Sequence, residues 1–220
     1  MSDAQDAEEE RALPLFPLEQ VVLFPGMSLP LRIFEERYKV MIGACHVTDQ
    51  LFGVLLIRNG AEVGAPAEPQ RVGCIARMMR VDRLPDGGMN ILTLGERRFR
   101  LQAPPRVMPE GYLVGDVRTL AEGPLVVPQN LVSQVVEEFA KYQSAASAMS
   151  GRSEPVAAPE LPADPLRLSY RVAASLHIHP RERQHLLELD DVASRLQQEL
   201  RWLQRENRPA KTSIGPFSVN

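Results

Sequence analysis

A proline-glycine pair set between two apolar runs constrains this chain more than any other feature of its sequence. In LPLFPLEQVVLFPGMSLPLRIFEERY (Leu13 to Tyr38), Pro25-Gly26 offers the fixed φ and the positive φ of a type II turn. An apolar strand through Val21 to Phe24 is thereby predicted to reverse into a second strand lying beside it. In that second strand Leu29, Leu31 and Ile33 alternate with Ser28, Pro30 and Arg32, which puts three aliphatic side chains on one face. From Phe34 the period lengthens: Phe34, Tyr38, Met41, Ile42 and Cys45 recur at helical spacing, with Glu35, Glu36, Arg37 and Lys39 between them. Pro14, Pro17 and Pro30 lack a backbone donor and belong at sheet edges, strand starts or bends. The unit reads strand, turn, strand, helix.

At 220 residues, 44% hydrophobic and 24% charged, the chain suits one large or two small globular domains with a sizeable core. A net charge of −3 exerts no general pull toward nucleic acid or anionic lipid. No apolar run approaches the roughly 20 residues of a membrane-spanning helix. The opening residues, MSDAQDAEEERA, are acidic and lack the basic and apolar regions of a secretory signal, so a cytoplasmic protein is expected. Cys45 and Cys74 each sit in an apolar pattern, as buried thiols do.

Residues 1–12 read as a disordered acidic tail. Leu51 to Ile57 is a short buried strand, and residues 60–70, with Gly64, Pro66 and Pro69, a loop. Val72 to Leu84 and Met89 to Leu94 form a hairpin through Pro85-Asp86-Gly87-Gly88, Arg97 to Leu101 alternates as a further strand, and Tyr112 to Leu120 is the last. Short strands with frequent turns predict a small barrel or rolled sheet over residues 13–122. A helical region is expected over residues 123–207, interrupted by a loop at about 143–163, with a loose tail at 208–220. Its first helix carries Leu131, Val132, Val135, Val136, Phe139 and Tyr142. Asp164-Pro165, His179-Pro180 and Asp190-Asp191 then open three more, the last with Val192, Leu196, Leu200 and Leu203 on one stripe.

The stretch from Leu13 to Tyr38 also resembles the opening of the N-terminal substrate-binding domain of Lon proteases. Phe52 to Ile57 (FGVLLI), Val72 to Met78 (VGCIARM), Leu84 to Leu101 (LPDGGMNILTLGERRFRL) and the helical run from LRLSYRVAASL to RLQQEL agree with it in the same order, over roughly residues 13 to 206. The resemblance implies an α+β fold: a PUA-like β pseudobarrel with one inserted helix, followed by a C-terminal helical bundle. It implies a binding module for unfolded or apolar protein segments, working with a protease or chaperone in trans, rather than an enzyme. No G-x-x-x-x-G-K-S/T phosphate loop is present, and none of Lys39, Lys141 and Lys211 follows the catalytic pattern of that family. No catalytic residue, metal ligand or cofactor site is therefore assigned.

Two residue groups are candidates for contact with a partner. Met27, Met78, Met79 and Met89 supply flexible thioethers suited to a surface that accepts varied apolar segments, or else fill gaps in the core. Arg98 and Arg100, on one face of a strand with Arg97 on the other, supply guanidinium forks for an anion or a polar contact, with structural ion pairing the favoured reading. His177 and His179 read as a helix end with cations near its carbonyls rather than as a metal pair. The alternative function is an RNA- or nucleotide-binding PUA-like module. The acidic balance and scarcity of lysine weigh against it, because phosphate contacts dominate such affinity.

Overall fold

In the computed structural model, which describes residues 9–48, 51–64, 67–149 and 161–207, the Pro25-Gly26 pair turns the chain as its chemistry requires. Gly26 has a φ of +77°, and the Met27 N–H closes the turn on the Phe24 carbonyl at 3.0 Å. The turn does not join two neighbouring strands. The first strand lies earlier, β1 (Glu10–Leu18), and the run Val21 to Phe24 is not a strand. Only the second strand, β2 (Ser28–Ile33), stands where expected, with Leu29 and Ile33 buried. The acidic tail expected through residue 12 gives up Glu10 to Ala12 to β1, and residues 1–8 lie outside the described residues.

The remaining elements in order are α1 (Glu36–Thr48), β3 (Phe52–Asn59), β4 (Glu68–Pro69), β5 (Val72–Arg83), β6 (Met89–Leu101), β7 (Arg106–Val107), β8 (Leu113–Thr119), α2 (Gln129–Met149), α3 (Pro165–Ser175), α4 (Pro180–Glu188) and α5 (Val192–Glu206). The described strands run β2-β6-β5-β3-β1-β8-β7. A further pairing of β6 with β8, at Phe99 to Leu101, closes β6, β5, β3, β1 and β8 into a ring. Each of those five strands sends aliphatic or aromatic side chains into one buried cluster: Leu13, Leu15, Leu55, Ile75, Phe99, Leu101, Leu113 and Val117. β1 and β3 are parallel, with β2 and α1 making the crossover between them.

α1 lays Tyr38, Met41, Ile42 and Cys45 on a second cluster with Phe16, Leu18, Phe52, Val54 and Cys74. Phe34, expected on that stripe, precedes the helix and is exposed. Both cysteines are free and buried; burial pushes the Cys45 thiol up to about 11 and raises that of Cys74 as well. The third cluster packs α2 to α5 on the ring through Val22, Phe24, Leu56 and Val72. Val22 and Phe24 are thus buried without a sheet ladder, under the helices rather than inside the ring.

The helices begin where their caps demand. Asp164 accepts from Arg167 N–H, and Asp191 from Ser194 N–H, each at 2.8 Å, and Pro165 and Pro180 take first-turn positions. α2 runs to Met149, beyond the loop start expected near residue 143, and residues 150–160 and 208–220 lie outside the described residues.

Candidate functional site

Strict alternation fails at two points along the β5–β6 pair, and one failure builds the site. Cys74 pairs with Arg98 but Ala76 with Gly95, so Glu96 and Arg97 together oppose Ile75 as a bulge in β6. Next to the bulge the backbone of Gly95 is pinned by the turn: Gly26 N–H donates to the Gly95 carbonyl at 2.8 Å, and Gly95 N–H to that of Met27 at 2.9 Å. A Cβ at residue 95 would stand 2.2 Å from the Phe24 carbonyl oxygen, so only glycine lets the turn lie this close.

The bulge, the turn, the end of β8 and α3 enclose a cleft of about 800 Å³. Pro25, Gly26, Met27 and Ser28, with Arg97 of the bulge, form one side; Glu96 and Thr119 to Glu122 form the base; Leu166, Arg167, Tyr170, Arg171 and Ala174 of α3 face them. Positions 166, 167, 170, 171 and 174 share a helix face by their spacing of three and four. The helix packs from its other side, where Leu168, Val172 and Ala173 are buried.

Below the cleft lies a buried ionic network centred on Glu122. Its carboxylate accepts from Arg98 Nε and Nη2, both at 3.1 Å, and from the Tyr170 hydroxyl, and stands 3.6 Å from Arg195 Nη2. Arg98 is fully buried; it donates from Nη1 to the Leu187 and Leu189 carbonyls at 3.0 Å and to Asp190 at 3.1 Å. Arg195, equally buried, donates to the Leu186 carbonyl at 3.1 Å and to Ser169 Oγ at 3.0 Å, and its guanidinium lies 4.3 Å from the Tyr170 ring. Burial raises the Tyr170 phenol well above its usual range, so it stays a donor. Arg98 is thus a bolt between β6 and the loop joining α4 to α5. Arg100, on the same face of β6, is exposed.

The four methionines do not share a surface. Met27 lines the cleft, and Arg183 Nη2 approaches its sulfur at 3.8 Å. Met89 is buried in the cluster beneath α1, and Met78 packs against it. Met79 is exposed, because a second register shift between Met78 and Arg80 inserts it as an extra residue in β5. That bulge returns Val81 to the side of Met78. His177 Nδ1 lies 2.7 Å from the Tyr142 hydroxyl. His179 stands at the start of a helix rather than at the end of one: its Nδ1 accepts from Arg181 N–H at 3.2 Å and caps α4.

Of the cleft's lining, sequence reasoning singled out Met27 as a contact residue and missed Glu122, Tyr170 and the α3 arginines. Arg167 and Arg171, four apart on a helix already expected there, were the available signal. Nothing local marks Glu122, whose partners lie 24 to 73 positions away. Among the described residues the cleft lining contains no His, Cys or Lys, and its two carboxylates are engaged, Glu96 by Arg77 and Glu122 by the network.

The family described as the ATP-dependent protease La (LON) substrate-binding domain matches residues 12–205. A Lon protease of Roseiflexus castenholzii is 30% identical over 200 residues, which cover 88% of this chain and 24% of that protein. A Lon protease of Cytophaga hutchinsonii is 25% identical over 202 residues, 86% of this chain and 24% of its own. The chain thus spans about a quarter of these relatives. A solved Lon N-terminal domain protein from Xanthomonas campestris superposes with a TM-score of 0.66 at 29% identity, covering 87% of this chain and 98% of the other. The N-terminal domain of the Mycobacterium avium complex Lon protease shares the fold, with a TM-score of 0.60 at 18% identity, covering 88% and 98%.

Proposed function

Because the chain belongs to the family of the ATP-dependent protease La (LON) substrate-binding domain, we propose that it is a non-catalytic recognition module that holds unfolded protein segments in the cleft between the Pro25-Gly26 turn and α3. The observation that carries this reading is the cleft's make-up: apolar Pro25, Met27, Leu166 and Ala174 beside free polar groups, over a floor whose charges are already neutralised. Such a surface accepts varied side chains without demanding one ligand. The neutralised floor also spares a bound segment from facing a buried bare charge. A segment held here is passed to a protease or chaperone that does the chemistry.

The direct test is binding of a reduced and alkylated test protein, unfolded throughout, against its native form, followed by fluorescence anisotropy. The unfolded form is expected to bind and the native form not. Leu166→Asp, which puts a carboxylate on the apolar wall at an incompletely buried position, is expected to weaken binding about tenfold without loss of fold. Equal binding of native and unfolded forms would refute the reading.

A further inference from the structure

Resting on the recognition role just described, we propose that the cleft selects unfolded segments that carry carboxylates, an acidic stretch interleaved with apolar residues, through Arg97, Arg167 and Arg171. The chain is net negative at −3, yet three guanidinium groups face one concavity: Arg97 from the β6 bulge on one wall, Arg167 and Arg171 from α3 on the other. Most other arginines of the ring and bundle are engaged. Arg98 and Arg195 share Glu122, Arg77 holds Glu96, Arg118 holds Glu10 and Arg106 holds Asp116. The three cleft arginines have no carboxylate partner among the described residues, and the two carboxylates in the described lining, Glu96 and Glu122, are engaged elsewhere.

Among the described residues the cleft therefore presents an uncompensated positive charge in a chain of net charge −3. Guanidinium forks bind carboxylates in two parallel hydrogen bonds, and charges on opposite walls suit an extended strand whose side chains alternate between them. Met27 and Leu166 remain to receive the apolar residues. A polyphosphate backbone fits less well. Glu96 and Glu122 lie in the base of the same cleft, and its one aromatic ring, Tyr170, is covered by the Arg195 guanidinium and not free to stack a base.

The experiment titrates the full chain into three fluorescein-labelled 12-residue peptides in which Ala and Leu alternate with Glu, Gln or Lys, at low and at 0.5 M salt. The Glu peptide is expected to bind at least tenfold tighter than the Gln peptide at low salt, the margin shrinking at high salt. The double variant Arg167→Gln, Arg171→Gln alters two exposed side chains and leaves the fold intact by circular dichroism. It is expected to erase the margin, so that the Glu and Gln peptides bind alike. Equal affinity for the Glu and Gln peptides, or a margin that survives the double variant, overturns the proposal. Displacement of the Glu peptide by a single-stranded RNA at lower concentration than by unlabelled Glu peptide also overturns it. If unfolded protein still binds with no charge preference, only this inference falls; if unfolded protein does not bind at all, the recognition reading falls with it.

Discussion

Glu199 is the least comfortable residue in the molecule. It lies on the buried stripe of α5, one turn beyond Arg195, with no exposure and with neither carboxylate oxygen hydrogen-bonded. Burial pushes its carboxyl well above the usual range, against the pull of Arg195, so it is held protonated. A carboxyl raised on folding contributes no penalty below its unfolded value, about 4.3, and costs about 1.4 kcal/mol per pH unit from there up to the raised folded value. Stability is therefore expected to fall as pH rises through that window. Glu199→Gln should match the parent chain near pH 4 and exceed it at pH 7 to 8 by about 1 to 3 kcal/mol in urea unfolding. A variant less stable than the parent at pH 8 would mean that Glu199 is an ionised partner of Arg195. Arg98 is the opposite case, a buried charge whose donors are well used. Arg98→Met removes the donor to Asp190 and to the Leu187 carbonyl and two of the donors to Glu122, and is expected to cost about 3 to 5 kcal/mol. A loss below 1 kcal/mol would show that water replaces the guanidinium.

Among the elements, those announced by local chemistry were legible and those defined by a distant partner were not. Asp164-Pro165, His179-Pro180 and Asp191 start helices because a side-chain acceptor, joined in the first two by the fixed φ of a proline, acts within four residues, and the stripe Val192, Leu196, Leu200, Leu203 is buried as its spacing requires. Asp191→Ala should cost about 1 kcal/mol, read as a shift in the urea midpoint. The strand expected at Val21 to Phe24 fails for a different reason. Its residues are apolar on successive positions, which a strand buried on both faces and a loop under a helical layer satisfy equally, and only packing by α2 to α5 decides. The bulges at Glu96-Arg97 and Met79 shift the face of each later residue, so a period of two alone does not bring Arg97 to the cleft. Two glycines separate the contributions to the turn. Gly26→Ala meets nothing within 4 Å and should cost only its strained φ, about 1 kcal/mol. Gly95→Ala drives a methyl onto the Phe24 carbonyl and should cost several-fold more, with the turn displaced from β6. Equal costs would show that the turn is not seated on β6.

At the scale of the molecule, the ring of strands and the helical layer are joined by an apolar contact, by an ionic bolt and by hydrogen bonds such as Gln184 Nε2 to the Val72 carbonyl at 3.0 Å, and Glu122 of the bolt lines the cleft. Val22, Phe24, Leu56 and Val72 carry the apolar contact; Arg98, Glu122 and Arg195 make the bolt. α3 thus serves two purposes with two faces, packing through Leu168 and Val172 and presenting Leu166, Arg167 and Arg171 to the cleft. A second, shallower groove crosses β2, β6 and β5 at Pro30, Leu31, Arg80 and Leu92, where β2, β6 and β5 lie side by side. The proposed recognition of an unfolded segment assigns it to the cleft and not to this groove, and amide hydrogen exchange separates the two. With the reduced and alkylated test protein bound, protection is expected in residues 24–28, 119–122 and α3, with β2 and the Met79 bulge unchanged. Protection confined to residues 28–33 and 79–92, with α3 exchanging as in the free chain, would contradict the assignment of the cleft.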